Sequence, residues 1–139
     1  MRDDLHSFTE EAMEMVGTLY PEHASSLDYM RALTEKAFTF ASSDLPDHEA
    51  IELIGGGWVG DEALAIALYC VARYLDDFEK AMIAAVNHAG DSDSTGAIAG
   101  NILGAAVGYE ALPDFYKKDL ELHDVILTIA DALCGDDQR

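Results

Sequence analysis

The sequence predicts an all-α fold, an orthogonal multi-helix bundle of about seven or eight helices in one domain spanning residues 1–139. Three observations carry this. Apolar residues recur at helical spacing in almost every segment. No segment alternates apolar and polar residues as a half-buried strand does. A chain of 139 residues, 50% of them hydrophobic, suits one modest core.

Each element has its own signal. Ser7-Phe-Thr-Glu10 has the form of a capping box and is expected to open a first helix, with Ala12, Met13, Val16 and Leu19 on one stripe, ending before Pro21. Ser25 or Ser26 is expected to cap a second helix that turns Leu27, Met30, Leu33 and Ala37 inward. Pro46-Asp47 starts a short third helix through Leu53, broken by Gly55-Gly56-Gly57. A strongly apolar helix follows, from Asp61 and Glu62 at its positive end to about Leu75. Asp76 or Asp77 caps the next, through Val86. Another runs from about Ser94 to Tyr109 and is closed by Pro113; a last one runs from about Leu120 to Leu133. Residues 136–139 read as a frayed end. Gly96, Gly100, Gly104 and Gly108 fall four apart, so the helix that holds them is expected to pack closely against another backbone along that stripe.

Composition excludes several classes of function. No apolar run approaches the roughly 18–20 residues that a spanning helix needs, so no membrane partner is expected. The first residues lack the basic-then-apolar layout of a signal peptide. Eight Lys and Arg against 27 Asp and Glu give a formal charge of −19. That balance argues against nucleic acid as the primary partner, because binding along phosphates needs clustered cations. Cys70 and Cys134 sit within apolar helical patterns and read as buried free thiols of a cytoplasmic protein.

The polar segment from Asn87 to Gly96 is where chemistry concentrates. Asp91 and Asp93 stand one residue apart at a helix start, followed by hydroxyls. Two carboxylates this close repel unless one is protonated or a cation is shared, and a hard dication prefers such oxygen ligands. Helix capping is the competing explanation, and it accounts for one residue of the run. Both readings stay open at this level. A calcium loop of the EF-hand type fails, because its closing glutamate would have to be Ile102. His88 is open to two readings, a ligand contact or a loop histidine satisfied within the protein. Trp58 could wall a cleft and stack on a base, or pack in the core. Gly55, Gly56, Gly57 and Gly60 could bring amides near a diphosphate, or break a helix. Asp61 and Glu62 read most simply as first-turn acids.

These residues carry a resemblance. Gly55-Gly-Gly-Trp-Val-Gly-Asp-Glu through Cys70, Asp77-Phe-Glu-Lys-Ala, and Asn87 through Gly104 with its central Gly90-Asp-Ser-Asp-Ser-Thr-Gly96 resemble the C-terminal half of an ADP-ribosylglycohydrolase, over about residues 24–133. The resemblance implies an all-α fold and a cleft that binds ADP-ribose or an ADP-ribosylated protein. It implies a site for up to two Mg²⁺ (in some members Mn²⁺), with Asp91, Asp93 and Ser94 as ligands and Gly90, Ser92, His88, Trp58 and Gly57 about the substrate. The implied reaction is metal-dependent hydrolysis of the glycosidic bond between ADP-ribose and a side chain or small acceptor. The family's N-terminal half supplies a Thr-Asp-Asp metal motif, and no Thr-Asp-Asp occurs here. The resemblance therefore implies a metal-binding half that pairs with a complementary N-terminal half and turns over weakly or not at all alone. The alternative is a non-catalytic half-domain that binds a partner or itself. A homodimer would then bury the glycine-striped helix and the apolar helix from Asp61 to Leu75. No residue here reads as a persuasive general base.

Overall fold

The helix Gly60–Arg73 decides how the first 106 residues pack. Nine of its fourteen residues, Ala63 and Ala65 through Ala72, are buried, on every side of the helix. A helix apolar all round is stable only when surrounded, and its four buried alanines let neighbours approach its backbone closely. The computed structural model describes residues 2–135. In chain order the helices are α1 (Arg2–Leu19), α2 (Ala24–Ala41), α3 (Asp47–Ile54), α4 (Gly60–Arg73), α5 (Phe78–Val86), α6 (Ser92–Val107), α7 (Asp114–Lys117) and α8 (His123–Gly135). Two 3-10 turns, Pro21–His23 and Tyr109–Ala111, complete the list, and no strand occurs among the described residues. The all-α expectation holds.

Internal contacts group the chain into two compact units, 1–106 and 107–139. In the first, α4 packs most extensively on α2. Leu33, Ala37, Phe38 and Ala41 of α2, Ala50, Ile51 and Ile54 of α3, Ala81, Ala84 and Ala85 of α5, and Ala99 and Leu103 of α6 form one cluster with α4. Burying each side chain the size of Ile66 or Leu103 contributes about 1.5–3 kcal/mol. In the second unit, the Tyr109 hydroxyl is 2.7 Å from His123 Nε2, and the Lys117 ammonium lies over the Tyr109 ring at 5.4 Å. No residue of α8 is buried.

A polar knot ties the end of α4 to α2 and α3. Arg73 Nε pairs with Asp47 Oδ1 at 3.1 Å. Its other nitrogens donate to the carbonyls of Phe40, Ser43 and Leu45 at 3.3, 3.0 and 2.9 Å, so the guanidinium satisfies the C-terminal end of α2 and the chain leaving it. Asp47 accepts from the Tyr69 hydroxyl at 2.7 Å and the Tyr74 hydroxyl at 2.8 Å. Burial, then the bond to Asp47, pushes the Tyr69 phenol far above its ordinary range.

Several sequence expectations are corrected. Ser7 is not a cap: α1 already begins at Arg2, and the Ser7 hydroxyl faces Glu11 from within the helix. Neither Ser25 nor Ser26 caps α2, whose N-cap is His23 without a side-chain bond. The helix expected from Ser94 starts at Ser92, the last begins at His123, and the one-turn α7 was not anticipated. Asp77 caps α5 as expected, accepting from the Lys80 N–H at 3.1 Å. The glycine stripe does not meet a backbone. A Cβ at Gly96 would come 2.6 Å from a Val86 methyl, Gly100 faces Met82, Gly104 meets nothing, and Gly108 lies outside the helix with φ +77°. Most of the apolar residues of α4 are already covered by its neighbours within the chain. Cys70 is buried, but Cys134 is exposed. The expected frayed end, 136–139, lies outside the described residues.

Two outcomes follow from this packing. Asp47→Ala leaves a largely buried guanidinium without its carboxylate, and is expected to lower unfolding stability by roughly 2–4 kcal/mol in urea titrations, against under about 0.5 for Glu49→Ala on the same helix. Burial, then the charge of Asp47, pushes the Cys70 thiol up to about 12. At pH 8 a disulfide reagent is therefore expected to label Cys134 in the folded chain and Cys70 only after unfolding, as counted by mass spectrometry.

Candidate ligand and metal site at the start of α6

Two loops meet where α6 begins. The first, Gly55 to Val59, links α3 to α4; the second, Asn87 to Asp91, links α5 to α6. Gly57 has φ +73°, a conformation that favours glycine. Glu62, in the first turn of α4, reaches back so that its Oε2 accepts from the Gly56 and Gly57 N–H groups, each at 3.0 Å. The loops are then joined directly, because the Asp91 N–H donates to the Gly56 carbonyl at 2.8 Å. A Cβ on Gly90 would overlap that same carbonyl oxygen, so only glycine permits the approach.

Beneath the junction lies a buried Thr95. Its hydroxyl donates to the Ala85 carbonyl at 2.6 Å and lies 2.8 Å from His88 Nε2. The Gly90 N–H donates to His88 Nδ1 at 3.1 Å. The hydroxyl has one proton, which the Ala85 carbonyl takes, so His88 carries its hydrogen on Nε2 and donates to Thr95. Both ring nitrogens are thus occupied within the protein. Burial is the leading cause that holds the His88 imidazole below its ordinary pKa.

Asp91 precedes the first residue of α6 and caps it, accepting from the Ser94 N–H at 3.4 Å and the Ser94 hydroxyl at 2.9 Å. A hydrogen bond between the two carboxyls, followed by the bonds from Ser94, holds Asp91 below the usual carboxylate range. Both Asp91 oxygens accept from Ser94, so capping accounts for Asp91, and Asp93 stands two residues on in the first turn of α6. This donor set of two carboxylates and a hydroxyl suits a hard dication and would fill part of a six-oxygen shell. No cluster of three or more His, Cys, Asp or Glu able to hold a metal occurs among the described residues.

Beside the junction is a cleft of about 440 Å³ lined by His48, Ile51, Glu52, Trp58, His88 and the Gly55–Gly56 and Ala89–Gly90 backbones. Of the residues singled out from sequence, Trp58, His88 and Gly90 line it. Gly57 is buried under it, with its amide committed to Glu62. Ser92 is the first residue of α6 and donates its N–H to the Gly90 carbonyl at 3.0 Å. The idea that glycine amides could face a diphosphate is corrected at Gly56 and Gly57, because Glu62 already holds both. Glu62 is accordingly more than a first-turn acid. A glutamate at the third position of a helix is the pattern that signals a reach-back to amides before it. His48 and Glu52 were not anticipated, since only folding brings α3 to the cleft.

An all-helical domain with paired carboxylates at a helix start, next to a glycine-built cleft, is the class of protein defined here. Comparison at the sequence level gives the family. The family model described as ADP-ribosylglycohydrolase matches residues 2–139, beyond the 24–133 over which the motifs suggested it, and the chain belongs to that family. Membership places it among the glycohydrolases. Comparison with curated proteins and with solved structures gave no match.

Gly90→Ala is expected to force the two loops apart and cost roughly 1–3 kcal/mol, with faster hydrogen exchange at the Asp91 amide as the local readout. His88 sets a pH dependence. Its folded pKa lies below the unfolded one, so the unfolded chain binds more protons in that window; stability is full above about pH 6.5 and falls on acidification below it. Thermal melts between pH 7.5 and 5 are expected to show this fall, and His88→Gln to lessen it.

Proposed function

We propose that this chain supplies the C-terminal, metal-binding half of an ADP-ribosyl hydrolase that cleaves the glycosidic bond between ADP-ribose and a protein side chain or small acceptor. The observation that supports this most is the Asp91, Asp93 and Ser94 run at the head of α6, with Ser94 bonded to Asp91, within a chain that belongs to the family. Asp91, Asp93 and Ser94 would hold Mg²⁺ or Mn²⁺. A bound dication would offset the charge of the two aspartates and orient the ribose hydroxyls.

The remaining work falls to the protein. The positive end of α6, with its N–H groups directed at the junction, favours an anionic or oxygen-rich ligand there. The Gly56–Asp91 bond fixes the height of the α6 start against the cleft wall, which is positioning of the kind that lets bound sugar and water meet in a reactive arrangement. Trp58, Gly90 and the carbon edge of His88 exclude water from part of the ligand. A proton-transferring carboxylate and the rest of the ion shell would come from a complementary half, because no cluster of three or more His, Cys, Asp or Glu able to hold a metal occurs among the described residues.

Isothermal titration with Mg²⁺, then with ADP-ribose, tests this reading. Saturable Mg²⁺ uptake by the parent chain is expected, with at least a roughly tenfold loss in Asp91→Ala and in Asp93→Ala. Asp93→Ala should keep the fold, since the cap rests on Asp91. Release of ADP-ribose from a modified protein by this chain alone is expected to be slow or absent. Unchanged Mg²⁺ uptake in both variants would sink the proposal.

A further inference from the structure

The unit 107–139 holds a line of hydrogen-bonded side chains that the candidate site does not use. Tyr109 opens the 3-10 turn Tyr109–Ala111, and His123 opens α8. The Tyr109 hydroxyl lies 2.7 Å from His123 Nε2, and His123 Nδ1 lies 3.0 Å from Asp124 Oδ1. An ionised carboxylate can only accept, so the ring nitrogen beside Asp124 carries the hydrogen. In the neutral imidazole Nε2 then offers a lone pair, and the Tyr109 hydroxyl donates to it. A hydroxyl bonded to an imidazole that a carboxylate holds in one tautomer is the arrangement that activates a weak oxygen nucleophile.

Two further features keep the line in place. The Lys117 ammonium sits 5.4 Å from the centre of the Tyr109 ring and pairs with Asp114 at 3.2 Å, so the ring is held from its face. Just before His123 the chain passes through Asp119 at φ +61° and Leu122 at φ +59°, a left-handed conformation that a leucine rarely takes. The Ile126 N–H donates to the Leu122 carbonyl at 2.9 Å, which ties this strained turn to the first turn of α8. The turn thus sets His123 against Tyr109. The phenol stays within reach of solvent, since 39% of Tyr109 is exposed.

We infer that Tyr109 is a nucleophile that takes an acyl group from an aryl ester. Its oxygen bonds to the acyl carbon while its proton passes to His123 Nε2. The bond from that carbon to the aryl oxygen breaks, and the departing phenoxide takes the proton from His123. The products are a tyrosyl ester and a phenol, and no oxidant or reductant is needed. Asp124 is a positioning residue that acts through His123, holding the tautomer and offsetting the imidazolium charge. The inference goes beyond the hydrolase reading and does not rest on it, because none of these residues belongs to the head of α6 or to its cleft.

The full chain is treated briefly with p-nitrophenyl acetate, quenched in acid, and its acetylated tyrosines are mapped by mass spectrometry. Exposure alone would favour Tyr29 and Tyr20, which are 54% and 52% exposed. The expected result is the reverse, with Tyr109 acetylated roughly tenfold or more faster than either. In urea that preference should vanish, a comparison that needs no variant. His123→Gln, whose amide can accept the hydrogen bond but not the proton, is expected to bring Tyr109 down to the rate of Tyr29. Asp124→Asn is expected to lose severalfold, and Asp124→Glu to restore most of the parent rate. Equal labelling of Tyr109, Tyr20 and Tyr29 in the folded chain, or a preference that survives urea, overturns the inference. So does a parent-like rate in His123→Gln, or the same rate in Asp124→Asn as in Asp124→Glu.

Discussion

One backbone hydrogen bond holds the site together: the Asp91 N–H to the Gly56 carbonyl. It joins two loops that belong to different helix pairs, and it forms only because Gly90 lacks a Cβ at the point of closest approach. Glu62 holds the other side of the same peptide by accepting from Gly56 and Gly57. The carbonyl is thereby aimed at α6 and the amides are aimed at α4. Trp58, the cleft floor and the start of α6 inherit their positions from this one junction.

The junction is rigid because what lies beneath it is fully bonded. Thr95 is buried with its hydroxyl donated to Ala85 and accepting from His88, and His88 accepts from Gly90. A buried hydroxyl or imidazole with an unmet bond would cost of order 1–3 kcal/mol, so this small network resists rearrangement. The Arg73–Asp47 knot does the same at the other end of α4, joining α2 and α3 to it. Between the two polar ends, α4 is alanine-rich and packed on all sides. The site therefore rests on a helix that has little freedom to shift.

At the head of α6 a capping acid and a second acid share one turn. Asp91 accepts from Ser94 to finish the helix, and Asp93 places a second acid in the same first turn. Two acids this near at one helix end repel, and a proton or a cation relieves that repulsion. The same helix end favours negative charge through its dipole. Those forces together explain how two acids can remain adjacent on the surface of a chain that is already strongly acidic.

The sequence by itself determined the helical fold, the order of the helices and the polar run at the start of α6. Helical periodicity, Pro46, Asp77 and the glycine break at Gly55 are local signals, and local physics decides them. It misplaced Ser7, Ser25 and Ser26, because a hydroxyl near a helix start looks the same whether it caps or sits a turn inside. It overread the glycines of α6, since spacing shows which residues share a face but not what that face meets. Only the tertiary structure decided that Glu62 occupies the Gly56 and Gly57 amides, that His88 is spent on Thr95 and Gly90, and that α3 brings Glu52 and His48 into the cleft that Trp58 lines. Each of those contacts depends on where separate helices come to rest against α4, and no pattern within a single segment encodes that.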